Sequence, residues 1–187
     1  MQKEAKKQLI ADRRKRRQRV FNMGVLAATL VIIVVVTAYA LNRPQPVVLP
    51  SYLDKCIPLR GPYAYSEAFK IIIVINGGNQ SIPAGIGING TCVRPLYTLV
   101  AGSGGVHLAT DMNRTYTLDD FFLVWGSTFG RPWNVFDQEH LFSYTADSTH
   151  HITMIVNNQT STDYQNYVLP RNSDPVLNPY EIRITYG

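Results

Sequence analysis

The chain has 187 residues, of which 17% are charged, and its formal net charge is +5 at neutral pH. The charge is concentrated at one end, because residues 1–22 contain nine Lys or Arg against two Asp or Glu and carry +7, which leaves −2 for residues 23–187. A nearly neutral remainder has no electrostatic reason to bind nucleic acid, so we exclude that class of partner for it.

Residues 1–22 form a basic tail centred on the cluster Arg13–Arg17. Basic residues beside a membrane span stay on the cytoplasmic side and attract anionic lipid headgroups. A nucleic-acid patch or a localisation sequence is the alternative interpretation of the same cluster. We expect a cytoplasmic tail whose partners are anionic headgroups.

Residues 23–42 are predicted to be a single transmembrane signal anchor. No charged side chain occurs from Met23 to Leu41, and a helix of about 20 apolar residues is long enough to cross the hydrocarbon core of a bilayer. Together with the basic tail, this predicts a single-pass protein of the cell membrane, with residues 43–187 outside the cytoplasm.

Cleavage after the apolar run is the competing interpretation. Ala38-Tyr39-Ala40 matches the small-x-small pattern of a signal-peptidase site, which would give a mature chain beginning near Leu41. The apolar run is longer than the roughly 7 to 15 residues usual in cleaved signal peptides, which favours an uncleaved anchor and contact with the lipid bilayer.

Residues 43–52 read as a stalk, because Pro44, Pro46 and Pro50 favour an extended backbone. Residues 53–187 are enough for one domain with a hydrophobic core. The pattern predicts an α+β domain made mainly of antiparallel sheet, with one short helix.

The strand pattern predicts two hairpins and two C-terminal strands. Phe69–Ile75 and Ser81–Ile88 flank the turn residues Asn76–Asn79, and Arg94–Val100 and Val106–Thr110 flank a Gly-Ser-Gly-Gly loop. Alternation predicts strands at His151–Val156 and Tyr180–Tyr186, with Ile182 and Ile184 facing the core.

The helix is predicted to begin after Thr117, whose hydroxyl can accept from exposed amides, with Asp119 and Asp120 in its first turn. Gly126 is predicted to end it. One face carries the apolar residues Leu118, Phe121, Phe122 and Trp125, which favours core packing over a ligand site.

Cys56 and Cys92 are the only cysteines, and both follow the predicted span. Disulfides persist outside the cytoplasm, so we expect these two residues to be bonded. A copper-ligand pair is the alternative, although two thiols alone make a poor site.

Four Asn-x-Ser/Thr triplets follow the span and lie close to predicted turns, where a glycosylating enzyme has access. The glycosylation candidates are Asn79, Asn89, Asn113 and Asn158.

No catalytic motif occurs, since the chain lacks HExxH, CxxC, Gly-x-Ser-x-Gly and P-loop patterns. We therefore expect no enzymatic activity, no catalytic residues and no cofactor. The weak candidates for a metal site are His107, His140, His150 and His151, with Asp137 and Glu139 near His140. Polar loop histidines are the alternative.

Several motifs in fixed order resemble a family of uncharacterised, membrane-anchored extracytoplasmic domains of archaea and bacteria. They are Ile82-Pro-Ala-Gly-Ile-Gly-Ile88, Cys92, Pro95-Leu-Tyr-Thr-Leu-Val100, Gly105-Val-His-Leu108, Tyr116-Thr-Leu-Asp-Asp-Phe-Phe-Leu-Val-Trp-Gly126 and Ile184-Thr-Tyr-Gly187. The resemblance covers about residues 65 to 187.

The resemblance implies a His- and carboxylate-rich hairpin suited to a divalent metal. This chain departs from the family there: Tyr97, Leu99 and Val100 replace two histidines and an aspartate, Ala109 replaces a glutamate, and only His107 matches. The departure favours an accessory or interaction module at the cell surface, with a membrane-protein complex as partner. The alternative is a copper- or zinc-binding or metal-delivery domain.

Overall fold

A computed structural model describes residues 23, 25, 28–41, 47–132, 134–171 and 180–187. It contains two compact units, Met1–Pro44 and Gln45–Gly187. In the first unit, residues 28–41 form helix α1 and are exposed throughout. Among the described residues, no helix combines the length and the apolar character needed to cross a membrane. The predicted tail at 1–22 and positions 24, 26, 27 and 42 of the predicted span lie outside the described residues, so both stay predictions.

The second unit is α+β and consists mostly of strands, around the helix α2 (Leu118–Phe129). The strands are β1 (Ile57–Pro58), β2 (Tyr65–Ile75), β3 (Gly78–Gln80), β4 (Ile88–Asn89), β5 (Cys92–Val93), β6 (Leu96–Tyr97), β7 (Gly105–Thr110), β8 (His140–Leu141), β9 (Tyr144–Thr145), β10 (Ile152–Val156), β11 (Gln159–Ser161) and β12 (Glu181–Tyr186). A 3-10 turn occupies Tyr164–Asn166.

The main sheet has the strand order β11-β10-β12-β2-β7-β6, and β3 also pairs with β2. The pairing of β12 with β2 is parallel, with Ile182 opposite Ile71, and the other pairings in this sheet are antiparallel. Strand β2 is long because its first half pairs with β7 and its second half with β12 and β3. It is therefore the central strand of the domain.

The core lies between one face of this sheet and α2. Alternate residues of β2 and β12 point inward, so that Ile71, Ile73, Ile182 and Ile184 are at most 1% exposed. The predicted apolar face of α2 packs against them, and Phe121 and Trp125 contact each other with ring centroids 5.8 Å apart. Full burial of each such side chain stabilises the fold by about 1.5 to 3 kcal/mol. The predicted core positions in α2 and β12 are confirmed.

The predicted start of α2 is confirmed and its predicted end is wrong. Thr117 and Asp120 form a capping box, but the helix continues past Gly126 to Phe129 and is capped by Gly130, whose φ is 62°. Gly126 is needed inside the helix because a Cβ there would lie 2.8 Å from the carbonyl oxygen of Arg131. The chain after the helix thus folds back across Gly126.

The first predicted hairpin is correct in its turn and wrong in its return strand. Asn76 and Gly77 adopt positive φ, as a two-residue hairpin turn requires. Strand β3 then ends at Gln80, and the segment 81–88 does not continue it. Gly87 explains the difference: its φ is +68°, and a Cβ there would lie 2.1 Å from the carbonyl oxygen of Leu96.

The C-terminal strands are confirmed, and the second hairpin is confirmed in its pairing, although its first strand is shorter than the predicted Arg94–Val100. Strand β6 pairs with β7 with Tyr97 opposite His107, and β10 pairs with β12 with Met154 opposite Ile184.

A small sheet of order β1-β5-β4 covers the outer face of the main sheet at β6 and β7. Here Ile57 and Val93 pack against Tyr97 and Ala109 in a second apolar cluster. The predicted disulfide is present and joins Cys56, the residue before β1, to Cys92 in β5. The disulfide closes a loop between residues 36 positions apart, and closing a loop of that length stabilises the fold by about 3 to 4 kcal/mol in the chain-entropy model.

Candidate interaction groove

An open groove of about 400 Å³ lies at the outer edge of the main sheet, beside β11. We call it the edge groove. Most of its lining is polar, and the lining residues are Val156, Asn157, Gln159, Thr160, Ser161, Thr162, Asp163, Tyr167 and Tyr180.

The hairpin that joins β10 to β11 forms one wall of the edge groove. Asn157 and Asn158 make its turn with φ values of 47° and 66°, and asparagine tolerates this left-handed region better than most residues. The backbone N–H of Glu181 donates to Asn157 Oδ1 over 2.9 Å, and the N–H of Asn157 donates to the carbonyl of Glu181 over 3.0 Å. The turn is therefore fixed to the start of β12.

Two tyrosines form the opposite wall. The hydroxyls of Tyr167 and Tyr180 contact each other, and the carbonyl of Tyr180 accepts from the N–H of Lys70 over 2.7 Å. Burial, and then the nearby Asp163 charge, raise the pKa of Tyr167 above its ordinary value. Its hydroxyl is therefore protonated at neutral pH and can both donate and accept.

Strand β11, which lines the groove, has one unpaired edge among the described residues. Within the described residues it pairs with β10 alone, so its other edge presents backbone N–H and C=O groups. The side chains of Gln159, Thr160 and Thr162 are exposed and make no hydrogen bond to another described residue. This arrangement can bind an extended polar partner through main-chain and side-chain hydrogen bonds.

His107, the one histidine that matches the resembled family, lies far along the sheet order from this edge. It is in β7, and its ring stacks on Tyr97 with centroids 5.1 Å apart. Burial lowers the pKa of His107 below its ordinary value. Tyr97 and Ala109, which replace a histidine and a glutamate of the resembled family, belong to the second apolar cluster.

His140 and His150 occupy two similar turns. In each, the aspartate three residues earlier accepts from the backbone N–H of the histidine and contacts the ring Nδ1 at 3.1 Å, which pairs His140 with Asp137 and His150 with Asp147. Hydrogen bonds from Thr149 and from the His150 backbone and ring hold the pKa of Asp147 well below its ordinary value. These pairs fix the turns and leave each Nε2 facing away from the carboxylate.

The structure does not bring the four histidines together as metal ligands. His150 stacks on Tyr186 with ring centroids 5.5 Å apart, and His151 is exposed, with its backbone bonded to Gly187. Across the described part of the chain, no three His, Cys, Asp or Glu residues are placed to share a metal ion.

The four glycosylation candidates are all exposed. Asn79 lies in β3, Asn89 in β4 next to the disulfide and Asn158 in the turn beside the edge groove. Asn113 differs because its Oδ1 accepts from Arg171 over 2.9 Å. Whether a glycan is attached at these positions stays a prediction.

Sequence reasoning missed the edge groove. Tyr167 and Tyr180 are two of 11 tyrosines, and nothing in their spacing indicates that their hydroxyls meet. The turn Asn157-Asn158, followed by Gln, Thr, Ser and Thr, is the one local pattern that could have indicated a polar hairpin edge.

No protein-family model, curated protein or solved structure matches the chain. The resemblance of residues 65 to 187 to membrane-anchored extracytoplasmic domains is therefore a hypothesis that rests on its motifs alone.

Proposed function

We propose that this chain is a non-enzymatic, single-pass membrane protein whose outer domain is an accessory or interaction module at the cell surface. The observation that carries the proposal is the edge groove, where β11, which among the described residues pairs with β10 alone, lines the same groove as Tyr167, Tyr180 and the exposed side chains of Gln159, Thr160 and Thr162. Edge strands with open main-chain groups are used to bind extended segments of other proteins. The partner we propose is a protein subunit of a complex in the same membrane.

Two features support membrane anchoring. The run from Met23 to Leu41 has no charged residue and follows a tail of charge +7. The described residues of α1 are apolar or weakly polar and are exposed on every side of the helix. A helix that is apolar all round requires an apolar environment, and a bilayer provides one.

The groove is tested by quantitative co-purification of the tagged full-length chain from native membranes in mild detergent. Thr160→Lys changes the hairpin wall of the edge groove, and Tyr167→Ala changes the tyrosine wall. We expect a stoichiometric partner to be retained by the wild-type chain and its recovery to fall at least about tenfold with either variant, because about 1.4 kcal/mol of lost contact corresponds to a factor of ten.

Thr153→Lys is the matched control, since Thr153 is an exposed threonine of the neighbouring strand β10 and does not line the groove. It should retain the partner. Equal loss with Thr153→Lys, or a wild-type chain that always purifies alone, would contradict the proposal.

The intact mass of the protein purified from membranes decides between anchor and cleaved signal peptide. We expect a chain that retains residues 1–40. A mature chain that begins near Leu41 would exclude the anchor.

Metal binding is the second candidate function, and the Asp137–His140 and Asp147–His150 pairs favour it. A carboxylate on Nδ1 is a common orienting contact for a histidine that binds metal through Nε2. Metal analysis of the purified chain tests this candidate. Stoichiometric copper or zinc that is lost in His140→Ala or His107→Ala would favour it over the interaction module.

A further inference from the structure

A second cavity, of about 250 Å³, lies beside β2 and is formed by residues 70–73 of that strand, residues 79–82 and residues 102–104. We call it the loop cavity, because the glycine-rich loop before β7 forms one of its sides. Strands β10 and β12 lie between β2 and β11 in the main sheet, so the loop cavity is separate from the edge groove. The function proposed above does not use it.

The side chains around the loop cavity favour a negatively charged ligand. Among the described residues that line it, Lys70 is the one with a charged side chain. The other polar side chains of the lining are those of Asn79, Gln80, Ser81 and Ser103, and each of them can donate a hydrogen bond. A cation together with several donors, and without a carboxylate in the described lining, suits an anion.

Lys70 is available to such a ligand. Its Nζ lies 3.7 Å from Glu181 Oε2, which is too far for a hydrogen bond, and Glu181 Oε1 accepts from Arg183 Nη2 over 3.0 Å. The stem of Lys70 packs on the loop, since its Cγ lies 3.4 Å from where a Cβ on Gly104 would be. Lys70 can therefore bind an anion without first breaking a hydrogen bond to a described carboxylate.

The loop contributes two backbone N–H groups that have no hydrogen-bond partner in the described part of the chain, those of Ser103 and Gly104. Gly104 is buried, and a buried N–H without an acceptor is costly. The glycines at 102 and 104 both adopt positive φ, of 72° and 70°. Successive N–H groups in a turn of this kind form a concave site for an anion.

The hydroxyl of Ser81 lies against the same loop. Its Oγ is 3.6 Å from where a Cβ on Gly102 would be, and the N–H of Gly102 donates to the carbonyl of Ile82 over 2.9 Å. The carbonyl of Ser81 accepts from Gln80 Nε2 over 3.5 Å, whereas the hydroxyl has no partner among the described residues. Donors from three segments of the chain therefore line one cavity.

We propose that the loop cavity binds a phosphate group, held by the ammonium of Lys70, the hydroxyl of Ser81 and the two open N–H groups of the loop. A phosphate accepts hydrogen bonds through several oxygens, and lysine binds it as a point charge. The site goes beyond the proposed function and does not depend on the membrane anchor. Because the anion joins three segments of the folded chain, its binding raises the melting temperature.

The test is thermal unfolding of the full-length chain in maltoside detergent, titrated with inorganic phosphate and compared with sodium chloride at equal ionic strength. Lys70→Met keeps the stem on the loop and removes the charge, and Ser81→Asp adds a negative charge to the lining. Lys55→Met is the matched control, because Lys55 is the other lysine after residue 42, pairs with Asp111 and does not line the cavity. Phosphate bound to the basic tail of both the folded and the unfolded chain does not raise the melting temperature.

We expect the melting temperature of the wild-type chain and of Lys55→Met to rise by about 2 to 4 °C and to saturate with phosphate. The apparent Kd from this rise should be at least about tenfold weaker in Lys70→Met and in Ser81→Asp. A rise that does not saturate, that is equal in wild type and Lys70→Met, or that is lost equally in Lys55→Met overturns the proposal.

A second titration with glycerol phosphate separates the two sources of a phosphate group. Tighter binding of glycerol phosphate than of inorganic phosphate identifies the ligand as a phosphate ester, and equal or weaker binding identifies the free ion. Both results support the site, provided that each depends on Lys70.

Discussion

Asp120 connects two parts of the folded domain through one buried carboxylate. Its Oδ2 accepts from the backbone N–H of Thr117 over 2.9 Å, and its Oδ1 accepts from the hydroxyl of Tyr52 over 2.8 Å. Burial and the Asp120 carboxylate raise the pKa of Tyr52, so this hydroxyl stays protonated and donates. The start of α2 is thereby joined to the segment that enters the domain.

Asp120→Ala should lower the free energy of unfolding by about 2 to 3 kcal/mol, because it removes a helix cap and the acceptor of the Tyr52 hydroxyl. Urea unfolding of the purified chain in mild detergent measures this. Asp119→Ala is the control: burial and the nearby Asp120 and Asp137 charges raise the pKa of Asp119, so we expect a change within about 0.5 kcal/mol. Similar losses in the two variants would disprove the role of Asp120.

His107 predicts a pH dependence of stability. Burial lowers the pKa of His107 in the folded state, so below the ordinary value of 6.5 the unfolded chain binds more protons at this residue than the folded chain does. Stability from this group is therefore complete above the unfolded pKa and declines as the pH falls below it toward the folded pKa.

Urea unfolding at pH 7.5 and pH 5.5 measures this dependence. The loss of stability between the two pH values should be smaller in His107→Gln than in the wild-type chain, and His151→Gln, a change at an exposed histidine, should leave it unaltered. An identical loss in wild type and His107→Gln would show that His107 is not the responsible group.

Two glycines of the segment between β3 and β4 allow the cost of backbone strain to be measured separately from the cost of a steric clash. Gly85 and Gly87 both adopt positive φ, but a Cβ at position 85 meets nothing within 4 Å, whereas one at position 87 lies 2.1 Å from the carbonyl oxygen of Leu96. Only the second position requires the close approach of two backbone segments.

Gly85→Ala should cost about 1 kcal/mol, which is the usual penalty of a left-handed alanine. Gly87→Ala should cost at least about 3 kcal/mol or prevent folding, because the backbone of β6 must also move. Thermal unfolding followed by circular dichroism compares the two. Equal melting temperatures would contradict the close packing of Gly87 on β6.

Local chemistry made some elements predictable and long-range packing made others unpredictable. Thr117 and Asp120 form a capping box within four residues, and Ile182 and Ile184 alternate in the pattern of a half-buried strand. The start of α2 and the inward face of β12 are therefore predictable from the local sequence. The end of α2 is capped by Gly130, but Gly126 four residues earlier is an equally good local stop, and only the packing of Arg131 over Gly126 distinguishes them. The parallel pairing of β12 with β2 joins residues more than 100 positions apart and leaves no local pattern.

The candidate groove was less predictable than the fold. A pocket between a hairpin edge and two tyrosines depends on where β12 begins, which the parallel pairing with β2 decides. The histidines were conspicuous in sequence, yet the structure places His107 in the sheet and pairs His140 and His150 with aspartates in separate turns. The histidines, which are the residues that suggest a site in the sequence, therefore do not predict the groove.

At the scale of the whole molecule, the chain combines a basic tail, an apolar run and a nearly neutral folded domain. In the proposed function, the apolar run anchors the chain, and the edge groove, which is rich in hydroxyls and amides, binds a neighbouring membrane protein.

Labelling of single introduced cysteines in intact cells tests this topology most directly. Cys56 and Cys92 are disulfide-bonded and do not react, so a membrane-impermeant maleimide reports only Gln8→Cys in the tail or Thr162→Cys in the edge groove. We predict that Thr162→Cys is labelled in intact cells and that Gln8→Cys is labelled only after the membrane is permeabilised. Labelling of Thr162→Cys only after permeabilisation would place the domain in the cytoplasm and contradict the account.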